Sequence, residues 1–246
     1  MESMSENDEG EITIGHLKNC LPDTHGRTWI PYNTLIHKRT QMNVNGYEIK
    51  PGANLRCAYL KGADLVGANL QNANLYGADL QNANLENANL VGAYLYCVNL
   101  ENANLVGANL KYSNIQGANL RYANLRYANL VGAYLQGVNL EGANLVGADL
   151  EGAYLQGANL VSANLVSAYL VSAYLQGANL VGANLLYADL EDANLENANL
   201  VSANLVSANL TGTILEKKED DKDLRIKELE EENKKLKEAL KALPDT

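Results

Sequence analysis

The side chains able to coordinate a metal gather at one end of the chain. His16, Cys20, His25 and His37 all precede residue 40 and include every histidine of the protein. Their spacings match no zinc pattern, and no Cys-x-x-Cys pair accompanies them. A second grouping, Arg121-Tyr122 and Arg126-Tyr127, pairs cations with aromatic rings in the way used to contact nucleic acid. Two arginines do not outweigh the carboxylates around them. From residue 53 to residue 215 there is no histidine and no nucleophile beside a base. The sequence therefore assigns no catalytic residue, no metal and no cofactor, and it reads as a protein that is not an enzyme.

What those side chains are mounted on is plainer. Leu or Ile stands at every fifth position from Leu55 to Leu215, thirty-three times without a phase break, and Ile115 is the single isoleucine. The commonest spelling of the unit is Ala-Asn-Leu-x-Gly. Residues five apart on a helix drift by about 140° and share no face. On a strand an odd period sends alternate leucines to opposite faces. Only a chain that turns a corner once per unit buries them all. Ala53 and Leu55 then point inward, Asn54 points outward or towards the corner, and Arg56 and Cys57 make the bend. The corner position is mostly Gly, Asn or Ser (Gly62, Asn72, Ser162), which tolerate turn dihedrals. Coils of this kind stack about 4.8 Å apart to pair their backbones. The Asn or Asp before most leucines is placed to cap backbone groups at the corners. Val98, Ser113, Val138 and Thr213 depart from Ala and imply local packing changes.

Residues 53–215, about two thirds of the chain, resemble the pentapeptide-repeat family, whose consensus is close to A(D/N)LxX. The resemblance implies an all-β fold, a right-handed quadrilateral β-helix with four units per coil and about eight coils, roughly 40 Å long at the strand spacing. Periodicity alone does not choose four sides over three. The family often carries Phe at the central position, whereas this chain has no Phe. Four units per coil would stack residues twenty apart. One core column is then Leu55, Leu75, Leu95, Ile115, Leu135, Leu155, Leu175 and Leu195. Cys57 and Cys97 would share a corner two coils apart, beyond disulfide reach.

Charge divides the chain into parts but favours no anionic partner. Residues 1–52 hold five basic and seven acidic side chains, residues 53–215 five and eleven, residues 216–246 nine and eleven, for a net charge of −10. No part is basic, which argues against nucleic acid as a partner. No apolar run reaches membrane-spanning length. The acidic start MESMSENDEGE lacks a signal-peptide pattern, and three cysteines form no disulfide framework, so a cytoplasmic location is expected.

The flanking segments read as closures. Residues 1–11 carry the composition of a disordered acidic terminus. Residues 12–52 are expected to form a small cap. It would use Ile12, Ile14, Leu17, Trp29, Ile30, Leu35 and Ile36, with a hairpin turning at Asn45-Gly46 over the first coil. Residues 216–246 are charged and helical in pattern. Leu229, Leu236 and Leu243 fall on d positions; Ile226, Asn233 and Leu240 fall on a. A single Asn at a favours a parallel two-stranded coiled coil and hence a homodimer, with Pro244 ending the helix. The alternative is a single helix lying on the last coil.

On the outside, the twenty-residue register aligns Tyr134, Tyr154 and Tyr174 on one face. A second face receives Val146, Val166, Leu186 and Val206. These are the candidate partner surface, although Val and Tyr ladders also simply stabilise stacked strands. The expected function is a non-enzymatic structural or protein-interaction scaffold. The alternative implied by the family is mimicry of DNA towards a type II topoisomerase such as gyrase. Net −6 over eight coils is sparse for that role, since DNA carries one charge per about 1.7 Å of its axis.

Overall fold

The computed structural model describes residues 42–216 together with residue 231. The hairpin belongs with the unit that starts at Gln41 and contains the repeats. The proposed cap residues 12–36, the His16–His37 grouping and the heptad residues Ile226, Leu229, Asn233, Leu236, Leu240 and Leu243 lie outside the described residues.

Parallel bridges join each Asn-position residue to the one twenty places on, in an unbroken series from Asn54↔Asn74 to Asp189↔Asn209. Twenty residues contain four units, so every coil has four bridged sides. In the middle coils a unit with Asn or Asp before its leucine leaves no backbone donor idle. Ala103 N–H closes a turn on Leu100 O at 3.0 Å, Asn104 N–H reaches Ala83 O one coil back at 2.9 Å, and Leu105 and Gly107 N–H reach Asn124 O and Arg126 O one coil on at 2.7 and 2.9 Å. The fifth donor, Val106 N–H, has no backbone acceptor and takes Asn104 Oδ1 at 3.3 Å. That last bond explains the Asn or Asp before most leucines: it completes the hydrogen-bond set of the unit's backbone.

The corners are four-residue turns. Ala108 N–H returns to Leu105 O at 3.0 Å, and the third turn residue, Gly107, has φ of 64°, the signature of a type II turn. The other corners share this left-handed geometry, including Tyr112, Tyr122, Tyr127 and Tyr187 with φ of 57–59°. For an L-residue this costs about 1–2 kcal/mol, so the coil register imposes it.

Ala and Leu fill the interior, and all eight residues of the Leu55–Leu195 column are at most 3% exposed. Where Ser113 and Thr213 replace Ala, each hydroxyl donates to the carbonyl three residues back, Leu110 O and Leu210 O, at 2.6 Å. An interior void of about 10 Å³ runs along the leucines Leu140 to Leu185, at the lower limit of the space one water needs.

One end is closed by a hairpin, β1 Met42–Val44 and β2 Tyr47–Ile49, antiparallel about Asn45 and Gly46. Both turn residues have positive φ, 54° and 83°, as a type I′ turn requires. Ile49 plugs the core and Met42, Val44 and Tyr47 pack against it. Asn45 Nδ2 donates to Tyr59 O and Tyr59 N–H to Tyr47 Oη, both at 3.3 Å. At the other end the leucines Leu200, Leu205, Leu210 and Leu215 are only partly buried. There a helical turn at 214–216 begins behind Thr213, whose Oγ1 accepts from Glu216 N–H at 3.4 Å, while the Glu216 carboxylate accepts from Gly212 N–H at 2.5 Å. This reciprocal arrangement resembles a capping box.

Replacing Leu135 by Ala should cost about 2–5 kcal/mol, because the coils above and below prevent collapse into the cavity. Leu205→Ala, in the half-open last coil, should cost clearly less. Urea unfolding of the two variants measures the difference.

Candidate interaction surface

A filled interior leaves only the outward positions for function: the Asn position, the x position after Leu, and the corner. Each side of the coil presents two such columns and one corner column.

The side running from Asn54 to Glu196 differs from the other three. Its Asn-position column reads Asn54, Asn74, Tyr94, Asn114, Tyr134, Tyr154, Tyr174, Asn194. Tyr134 and Tyr154 stack at 5.1 Å between ring centroids, and Tyr154 and Tyr174 at 4.8 Å with planes 1° apart. Lower down, Tyr76, Tyr94 and Tyr96 stack on one another at 5.8–6.3 Å, so both columns lie side by side. The Arg56 guanidinium carbon rests 4.3 Å from the Tyr76 ring centre. The x column continues Gln116, Gln136, Gln156, Gln176, with Gln116 Nε2 donating to Gln136 Oε1 at 2.7 Å. Gln156 Oε1 and Gln176 Oε1 are buried without a hydrogen-bond partner. Along the adjoining corner, Gly137, Gly157 and Gly177 leave open space. No charged side chain stands in either outward column between Arg56 and Glu196.

Tyrosine at the Asn position carries a cost. All twenty-six Asn or Asp residues from Asn54 to Asn209 cap the N–H two residues on, whereas the N–H groups after Tyr59, Tyr94, Tyr134, Tyr154, Tyr169 and Tyr174 receive no such bond. Four of those six tyrosines share this one face.

The valine face behaves differently. Val146, Val166 and Leu186 are half-buried by their stacked neighbours, and only Val206 of that group is well exposed, at 63%. The later coils therefore do not present a continuous exposed apolar ladder there. Stacking itself covers the inner members, as β-branched side chains do on a sheet.

The middle coil carries a motif that the sequence reading grouped only in part. Three of its corners are tyrosines seated behind cations: Lys111 Nζ lies 5.0 Å from the Tyr112 ring centre, and the Arg121 and Arg126 guanidinium carbons lie 4.7 and 5.2 Å from those of Tyr122 and Tyr127. Twenty residues on stand Gly132, Gly142 and Gly147; a Cβ on each would meet the tyrosine ring at 2.8, 2.5 and 2.7 Å. The readable signal is a corner Tyr followed by a Gly at twenty residues. Arg121 also bonds Glu141 Oε1 and Tyr122 Oη, both at 2.9 Å. Its hydrogen bond to Glu141 leads the effects that hold the guanidinium further towards its charged form. One of the two arginines of the candidate nucleic-acid patch is thus already paired.

Cys57 and Cys97 are exposed free thiols. Among the described residues no group of three His, Cys, Asp or Glu side chains could hold a metal ion, and no helix is long and apolar enough to cross a membrane. A concavity beside the last coil is lined by Asp192, Leu195, Glu196, Gly212 and Ile214.

Stacked coils of four five-residue units, with Ala and Leu inside and Asn-capped corners, define a β-solenoid built from tandem pentapeptides. Pentapeptide repeats match in eight copies over residues 53–92, 73–111, 113–152, 148–185 and 178–216, and the chain belongs to the pentapeptide-repeat family. Among solved structures it is similar to HetL of the cyanobacterium Nostoc, a pentapeptide repeat protein involved in heterocyst differentiation regulation. That match has 40% identity over 66% of this chain and 74% of HetL, with a TM-score of 0.66. It also matches QnrB1, a plasmid-mediated fluoroquinolone resistance protein, at 20% identity over 53% of this chain and 69% of that one, TM-score 0.40. Rfr23 of the cyanobacterium Cyanothece matches at 34% identity over 43% of this chain and 63% of its own, TM-score 0.24. No curated protein matches.

Gly142→Ala should destabilise more than Gly137→Ala, although both have φ of 63°, because only the first methyl strikes a ring. Tyr122→Ala should erase most of the excess. Thermal unfolding of the double-mutant cycle reads the coupling.

Proposed function

We propose that the chain is a non-enzymatic scaffold: a right-handed quadrilateral β-helix with a C-terminal helix, displaying rigid outward columns to a protein partner in the cytoplasm. The interior supports this reading most directly. Leucine and alanine, with a few close substitutes, occupy the inward positions of the described units, and the interior void among them is only about 10 Å³, so the filled core favours display of the outer columns over enclosure of a substrate. The tyrosine stack Tyr134–Tyr154–Tyr174 and the half-buried Val146, Val166 and Leu186 with exposed Val206 are the faces on offer. The tail, through Ile226, Leu229, Asn233, Leu236, Leu240 and Leu243, is proposed to join two such rods.

DNA mimicry is the weaker reading. The acidic side chains are scattered over three sides (Asp64, Asp79, Glu101, Glu141, Asp149 and Glu151), and Lys111, Arg121 and Arg126 interrupt them. No side presents a continuous anionic track of the density DNA has.

Charge substitutions placed one column at a time, followed by partner pull-down, should abolish capture for one face and leave the melting temperature within a few degrees. Capture that survives changes on all four faces contradicts the scaffold reading. In a gyrase supercoiling assay the purified protein should not inhibit at micromolar concentration.

A further inference from the structure

We propose that the Tyr/Gln side of the coil is a homotypic interface, on which two copies of this chain pack face to face and antiparallel. This goes beyond the tail-mediated pairing and does not depend on it.

The first argument is the pattern of costs. A tyrosine at the Asn position forfeits the cap on the following N–H, a hydrogen bond worth about 1 kcal/mol. The chain accepts this loss four times on one side, and locally costly choices concentrate at functional positions. The same side lacks charge over six coils, and its corner is bare glycine for consecutive coils. The result is a flat strip, rich in aromatic rings and amides, that a second strip can approach closely.

The second argument is self-complementarity. A two-fold axis lying in the interface, perpendicular to the coil axis, keeps each column opposite itself and reverses its order, as an isologous contact requires. The x column reads Arg56, Tyr76, Tyr96, Gln116, Gln136, Gln156, Gln176, Glu196. Reversed, it sets Arg56 of one copy against Glu196 of the other at both ends of the strip. Neither residue has an ionic partner among the described residues, and both are exposed. Between them, Tyr76 and Tyr96 of one copy stand opposite Gln176 and Gln156 of the other. Each of these pairs sets an aromatic ring against an uncharged amide side chain and brings no charge into the contact. In the neighbouring column Tyr94 meets Tyr154. Parallel packing instead puts Arg56 and Glu196 opposite asparagines and brings like charges of the two copies to the same end.

A third argument is spacing. A second copy rises by the same step, about 4.8 Å per coil, so contacts made in one coil repeat in register along the strip. The strip spans about seven steps and is narrow. The pair therefore falls at the small end of specific interfaces, about 1200 Å² in total. Self-association should be reversible and dependent on concentration.

The test is sedimentation equilibrium of the full chain and three full-length variants, Arg56→Glu, Glu196→Arg and the double exchange, with circular dichroism confirming that each is folded. Either single reversal sets like charges together and should weaken association at least tenfold. The double exchange should restore it to within about threefold of the starting protein. A tail-mediated dimer alone would leave all four proteins equal, and that equality would overturn the face-to-face interface without touching the scaffold reading. A double variant no better than the singles would overturn the antiparallel arrangement. Raising the salt concentration should weaken the starting protein and the double variant alike.

Discussion

The left-handed corner governs this fold. Every fifth residue adopts a positive φ, so that the chain turns after each leucine and meets itself one coil later. Three inter-coil hydrogen bonds per unit depend on that closure, and they in turn align the inward Leu and Ala. The constraint is strong enough to hold tyrosine, cysteine and aspartate in a conformation that glycine adopts freely. Asn before Leu supplies the acceptor that coil geometry alone does not.

A backbone fully committed in this way separates the jobs of the five positions. Two face inward and cannot vary beyond small exchanges such as Ala to Ser, where the hydroxyl satisfies itself on the preceding turn. One bends. Two face outward, and variation there leaves the register intact. Recognition can therefore be written onto the sides without remaking the core, as in other stacked repeats. The side with Tyr134, Tyr154 and Tyr174 shows such writing, since it forgoes caps to place aromatic rings.

Much of this was legible in the sequence because one period carries the information. The inward set, the corner position and the Asn-Gly turn at residues 45–46 all follow from spacing and residue type. The number of sides does not: a five-residue period is compatible with several closures, and only the bridges from each residue to the one twenty on fix it at four. The seating of Tyr122 against Gly142 was also hidden, because it links residues that come together only once the coil length is known. The same is true of the uncharged side. Arg56 and Glu196 sit near opposite ends of the repeat, and nothing local marks them as the two ends of one column. The half-burial of Val146, Val166 and Leu186 was hidden for a related reason, since stacking covers side chains that look exposed when each unit is read alone.

Amide hydrogen exchange at single-residue resolution tests the coil register most directly. In the middle coils the Asn-position, Leu and corner amides, bonded between coils, should exchange most slowly. The amide after Leu, held only by a side chain, should exchange faster, and fastest after Tyr134, Tyr154 and Tyr174. That pattern should recur every five residues from Leu75 to Leu190. Uniform protection, or protection with a helical period, would contradict the account.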